Sequence, residues 1–266
     1  MHFVTVNDIA IHAELTAGAR PGSQTLVFVN SLGTDFRIWD AVVATLGGRF
    51  TTLRYDKRGH GLSDVGATPY RMDDHIADLA ALMDRFELRR AVIVGLSVGG
   101  MIAQGLARSR PDLVEALVLS NTAHKIGDRA TWDQRIDTVE RDGIGAICEG
   151  VMEKWFTPDF RREDNPAFRG HRNMLLRASG EGYMATCNAI ADTDFTKEAP
   201  LIDVPTLCIA GEEDGSTPPD LVRSLADLIP NARFALIEAA GHIPNVERPE
   251  AYANEIERFL QECSGR

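Results

Sequence analysis

The chain has 266 residues, a formal net charge of −11, 44% hydrophobic and 25% charged residues. That length and balance describe a folded α/β-sized protein with a sizeable core, not a disordered one. The acidic excess excludes nucleic acid as an expected partner, because no surplus of Lys and Arg exists to displace counterions from phosphates. No apolar run approaches the ~18 residues of a membrane span, so no membrane association is expected. Met1 to Asp8 has neither a basic stretch nor an apolar one, so no leader is expected. The four cysteines, Cys148, Cys187, Cys208 and Cys263, are scattered without CxxC spacing, which reads as reduced thiols in a cytoplasmic protein.

Residues 3–6 and 9–15 read as strands around an Asn7-Asp8 turn. Thr25 to Val29 is a strand, followed by a helix around Ile38 to Leu46 and a strand at Thr51 to Tyr55. Residues 73–86 place Ile76, Leu79, Ala80, Met83 and Phe86 at helical spacing, with Asp73 the expected N-cap. Further apolar runs at 91–94, 116–119, 206–210 and 234–237 complete eight strands, and Pro249 opens a last helix burying Tyr252, Ile256, Phe259 and Leu260. Near-continuous apolar strands alternating with helices imply a mostly parallel sheet covered on both faces. About 80 residues separate the strand ending near Ser120 from that starting near Thr206, where a crossover needs only about a dozen. This interval has helical patterns and no strong strand. We therefore expect a core domain of 1–121 and 200–266, with a helical cap at 122–199.

Gly95-Leu96-Ser97-Val98-Gly99 fits G-x-S-x-G between a strand and a helical run, the setting of a nucleophile elbow. Its glycines answer a tight turn where a Cβ would clash. A serine hydroxyl needs a base, and His242, on the loop after the strand 234–237, is the best placed of the seven histidines. The acid is expected on another such loop, at Asp214, with Glu212 and Glu213 as competitors. The loop after 116–119 offers Asn121 where an acid could also stand. His60 reads as a turn builder, Asp56 as a local partner, and the remaining histidines as surface or packing residues. No metal-ligand spacing or cofactor motif is present. The backbone N–H groups of Leu32 and Val98 are the expected oxyanion donors.

The segment Arg54-Tyr55-Asp56-Lys57-Arg58-Gly59-His60-Gly61-Leu62-Ser63, the elbow, Gly211–Pro218 and Gly241-His242 together resemble the α/β-hydrolases. More narrowly, Asn30–Asp35, Asn121-Thr122-Ala123 with Ile126-Gly127, Lys154–Thr157 and Glu181-Gly182-Tyr183 through Cys187–Ile190 resemble the 3-oxoadipate enol-lactonases. Two departures are Val98 where that family leads one to expect Met, and Glu212-Glu213 before the acid. The resemblance implies a small anionic substrate, a five-membered enol lactone bearing an acetate, and no cofactor. Such a carboxylate requires a cation. Trp132 and Arg135 stand three apart, on one face if helical, so Trp132 and Trp155 are expected as apolar walls and Arg135 as the carboxylate partner. Equally, both tryptophans could only anchor the cap, with Arg135 solvated. Competing activities are those of a carboxylesterase or perhydrolase and of a carbon–carbon bond hydrolase. The non-enzyme alternative is a hydrolase-like ligand receptor. Oligomeric state is not legible in the sequence.

Overall fold

The computed structural model describes residues 1–264. His2–Val6 (β1) and Ile9–Thr16 (β2) pair antiparallel, and the turn residues between them, Asn7 and Asp8, both take positive φ, 46° and 65°. A two-residue hairpin turn of this hand requires that conformation, which Asn and Asp adopt more readily than most residues. The remaining strands are Thr25–Val29 (β3), Thr51–Tyr55 (β4), Ala91–Leu96 (β5), Val114–Ser120 (β6), Thr206–Gly211 (β7) and Ala232–Ile237 (β8). They form one eight-stranded sheet in the order β1-β2-β4-β3-β5-β6-β7-β8. β2 joins β4 antiparallel, and every pairing from β4 to β8 is parallel. Every residue of β5 and β7 is buried, which is why these strands read as unbroken apolar runs instead of alternating ones.

The helices are Asp40–Leu46 (α1), Met72–Arg85 (α2), Val98–Ser109 (α3), Arg129–Asp142 (α4), Cys148–Trp155 (α5), Pro166–Leu176 (α6), Gly180–Ala191 (α7), Pro219–Leu228 (α8), Pro244–Glu247 (α9) and Pro249–Ser264 (α10). The expected helix around Ile38 divides into a 3-10 turn, Phe36–Trp39, started by Asp35 accepting from the Arg37 N–H, and then α1. One expectation is corrected. α2 begins at Met72, so Asp73 lies inside it; Asp74 reaches back to the Arg71 N–H at 2.7 Å and caps the helix. Two adjacent aspartates look alike in sequence, and only the one at the third helical position can fold back onto that donor.

α1 packs with α10 and α2 with α3, and between β6 and β7 the described residues form only helices, α4 to α7, with short 3-10 turns. Cys148, Cys187 and Cys208 are buried. No helix among the described residues is long and apolar enough to cross a membrane.

Candidate active site

The elbow follows from close approach. A Cβ on Gly95 would stand 2.3 Å from the Gly99 carbonyl oxygen, and one on Gly99 would stand 2.2 Å from that of Val29. Neither contact is tolerable, so both glycines are dictated by the packing of β3, β5 and α3. Between them Ser97 takes φ 57°, ψ −119°, a strained conformation for a residue with a side chain. The surroundings hold it there: its N–H donates to the Ser120 carbonyl at 2.9 Å, and its own carbonyl accepts from Thr122 Oγ1 at 2.6 Å and the Gly100 N–H at 2.8 Å. Ser97 is thereby lifted to the first turn of α3, whose leading N–H groups have no intrahelical acceptor.

His242 and Asp214 meet at the carboxyl ends of the parallel strands. His242 Nδ1 lies 2.8 Å from Asp214 Oδ2 and 3.0 Å from Oδ1, and both side chains are buried. Burial pushes the Asp214 carboxyl up, but the charge and bond of His242, with bonds from Asn121 and Thr217, outweigh it and hold the group below the usual carboxylate range. Glu212 and Glu213 are exposed, and Glu212 accepts from the Ala239 N–H. Of the three consecutive acids, only Asp214 reaches His242.

Two further residues complete this network: Asn121, which the sequence names without a role in it, and Thr217, which it does not single out. Asn121 Nδ2 donates to Asp214 Oδ2 at 2.8 Å, and Thr217 Oγ1 donates to the same oxygen at 2.7 Å. The available signal for Asn121 was its place at the end of a central strand, where functional groups gather.

Ser97 and His242 line one cavity of about 120 Å³ together with Leu32, Trp132, Arg135, Lys154, Trp155 and Tyr183 among others. All three sequence-nominated residues of the interval 122–199 are thus beside the nominated serine. Arg135 sits 5.1 Å from the Trp132 ring, its NH1 group lies 3.5 Å from the Tyr183 hydroxyl, and no carboxylate pairs with it among the described residues. Trp132 Nε1 donates to the Ile126 carbonyl at 2.7 Å, and the Trp155 carbonyl accepts from the His242 N–H at 2.8 Å. The Trp132 bond stays within residues 122–199, whereas the Trp155 main chain ties that interval to His242. The Leu32 N–H meets no acceptor among the described residues. Val98 is fully buried and is not among the residues that line the cavity; its N–H is the first of α3.

His60 and Asp56 reach farther than a local turn. His60 Nε2 accepts from the Gly33 N–H at 2.9 Å, while Asp56 takes the Phe36 N–H, the Leu62 N–H and His12 Nδ1. Burial keeps the His60 imidazole well below its ordinary range, consistent with a ring nitrogen that accepts. A larger cleft of about 800 Å³ lies on the other side of the Gly33 loop, between that loop and α6, and it contains neither Ser97 nor His242.

Residues 24–249 match the family described as alpha/beta hydrolase fold. The chain is 32% identical over 259 residues to the 3-oxoadipate enol-lactonase 2 of Acinetobacter baylyi, covering 97% of this chain and 96% of that protein. Among solved structures, the enol-lactonase from Burkholderia xenovorans LB400 superposes with a TM-score of 0.94 at 35% identity, over 98% of this chain and all of the other. A thermophilic esterase from Thermogutta terrifontis, with malate bound, gives 0.89 at 27% identity over 98% of this chain and 96% of the esterase. The chain belongs to the alpha/beta-hydrolase family and is an ester-hydrolysing enzyme of the enol-lactonase type.

Proposed function

We propose that this enzyme hydrolyses 3-oxoadipate enol-lactone to 3-oxoadipate, as a step in the breakdown of aromatic compounds through the β-ketoadipate pathway in the cytoplasm. The observation that carries the reading is that Ser97, His242 and Arg135, a cation without a carboxylate partner among the described residues, line one small cavity. A volume of about 120 Å³ is comparable with the ~150 Å³ that holds one benzene ring, which suits a compact lactone better than a long-chain ester.

His242, held by Asp214, takes the proton of Ser97 Oγ as the oxygen attacks the lactone carbonyl. The N–H groups of Leu32 and Val98 receive the developing oxyanion. Collapse of the tetrahedral adduct breaks the ring C–O bond and releases a stabilised enolate, which takes up the proton held by His242 and ketonises, leaving His242 neutral again. The leaving group stays tethered to the acyl chain, so both fragments remain until water, activated by His242, hydrolyses the acyl-enzyme. Residues 122–199 act as a cap over one small molecule. Trp132 and Trp155 form its apolar walls, and Arg135 binds the substrate carboxylate.

The test follows the ultraviolet absorbance of the enol lactone beside a neutral aryl ester, in wild type, Ser97→Ala and Arg135→Ala. Ser97→Ala is expected to abolish turnover of both. Arg135→Ala is expected to raise KM for the lactone by one to two orders of magnitude, as loss of about 1.5–3 kcal/mol from a charge-assisted contact implies, and to leave the ester nearly unchanged. Ester turnover without lactone turnover would instead favour the carboxylesterase reading, in line with the malate-bound esterase relative.

A further inference from the structure

Lys57 is among the largest fully buried side chains, at 1% exposure, and it forms no ion pair among the described residues. Burial pushes its ammonium well below the ordinary lysine range, while the charges of Asp56 and Asp35 pull it back up. Lysine is seldom buried without a partner. Here the partner is a main-chain carbonyl: Nζ donates to Ser31 O at 2.5 Å.

The sheet register explains the meeting. β3 and β4 are parallel, with Val29 opposite Tyr55, so continuing each strand by two residues sets Ser31 beside Lys57. Ser31 O also accepts from Thr34 Oγ1 at 2.9 Å and from the Thr34 N–H at 3.4 Å. The Ser31 carbonyl and the Leu32 N–H belong to one planar trans peptide unit and point in opposite directions, so fixing the carbonyl aims the N–H. The next peptide is fixed as well, because the Gly33 N–H is held by His60 Nε2. Leu32 is therefore clamped on both sides, and its own N–H is left without an acceptor beside the cavity that holds Ser97.

We propose that Lys57 is a positioning residue of the oxyanion hole, aiming and polarising the Leu32 N–H through the Ser31 carbonyl. The proposal rests on the catalytic reading above and adds to it a residue that never touches substrate. The Lys57 bond to the Ser31 carbonyl stands in series with the Leu32 N–H, and hydrogen bonds in series reinforce one another by about a tenth to a third. The gain exists only while the N–H faces an oxyanion, so it acts on the transition state and not on substrate binding.

The experiment compares wild type, Lys57→Met and Thr34→Val on p-nitrophenyl acetate and on the enol lactone, and measures inhibition by an alkyl boronic acid, whose adduct with Ser97 is tetrahedral and anionic. Wild-type ester turnover that Ser97→Ala abolishes tests the catalytic reading by itself; a wild type that neither hydrolyses ester nor binds boronate overturns that reading and this one with it. For Lys57→Met, kcat is expected to fall about 10- to 100-fold with KM within about twofold of wild type, as for a displaced transition-state contact. Boronate affinity is expected to weaken by the same factor. A folded Lys57→Met with wild-type kcat, or with its loss confined to KM and boronate affinity unmoved, overturns the proposal. Should Lys57→Met fail to fold, Thr34→Val removes one of the bonds to the same carbonyl. It is expected to lose several-fold in kcat with a parallel loss of boronate affinity, and wild-type values there would overturn the proposal.

Discussion

Gly182→Ala tests how α7 is seated on the loop after β4. Gly182 lies in the first turn of α7, against Gly59 on the loop after β4. A Cβ at 182 would stand 2.2 Å from the Gly59 carbonyl oxygen and 2.5 Å from its Cα, all main-chain atoms that cannot swing aside. Since real Cβ contacts stay beyond 3.0 Å, α7 must retreat by about 0.8 Å, an overpacking that costs about 1–3 kcal/mol. Alanine gains up to ~1 kcal/mol over glycine inside a helix, which offsets only part of this. The net loss of up to about 2 kcal/mol corresponds to a fall in Tm of up to roughly 8 °C for a chain of this size. Tyr183, the next residue, lines the cavity and lies against Arg135, so the displacement also loosens the carboxylate site proposed there. Thermal unfolding and lactone kinetics should therefore show a lower Tm and a raised KM, with kcat for a neutral aryl ester little changed. A variant at least as stable as wild type, with unchanged KM, would refute the reasoning: it would mean that α7 slides over Gly59 freely and helix propensity decides.

Asn121→Ala removes a donor to the Asp214 carboxylate, a charge-assisted bond of about 1.5–3 kcal/mol, and kcat is expected to fall about tenfold or more. Because the folded pKa of Asp214 is depressed, its stabilisation is complete above its ordinary value of 3.8 and is lost as pH falls through the lower, folded value. Losing Asn121 raises that folded value, so acid unfolding, followed by tryptophan fluorescence, should begin at higher pH in the variant. Glu247 behaves oppositely. Burial raises its pKa above 4.5 despite bonds from Gly241 and Thr157, so the folded state holds its proton longer, and stability is lost as pH rises from 4.5 through the folded value. Glu247→Gln removes that dependence at the cost of one misplaced donor. The wild-type advantage in Tm should then shrink between about pH 4 and about pH 7, and a constant or growing difference would contradict this assignment.

Where a rule acts over a few residues, the sequence was sufficient. Unbroken apolar runs marked β5 and β7 because both faces of those strands are covered. G-x-S-x-G marked the elbow because strand, turn and helix lie within one short stretch, and the loops after the strands 206–210 and 234–237 then nominated Asp214 and His242. Tertiary structure decided among look-alikes. Glu212, Glu213 and Asp214 are three acids in a row, yet only Asp214 is turned inward onto His242. Asp73 and Asp74 are adjacent, yet only Asp74 caps α2. The supporting partners Asn121, Thr217, Lys57 and His60 also became visible only in the fold. The bonds from Asn121, Lys57 and His60 join residues 20 or more positions apart, brought together by the order and register of parallel strands. Thr217 is only three positions from Asp214, but the oxygen it bonds is the nearer of the two to His242. A hydrogen-bond partner is chosen by distance and direction, and for separated segments both are properties of packing.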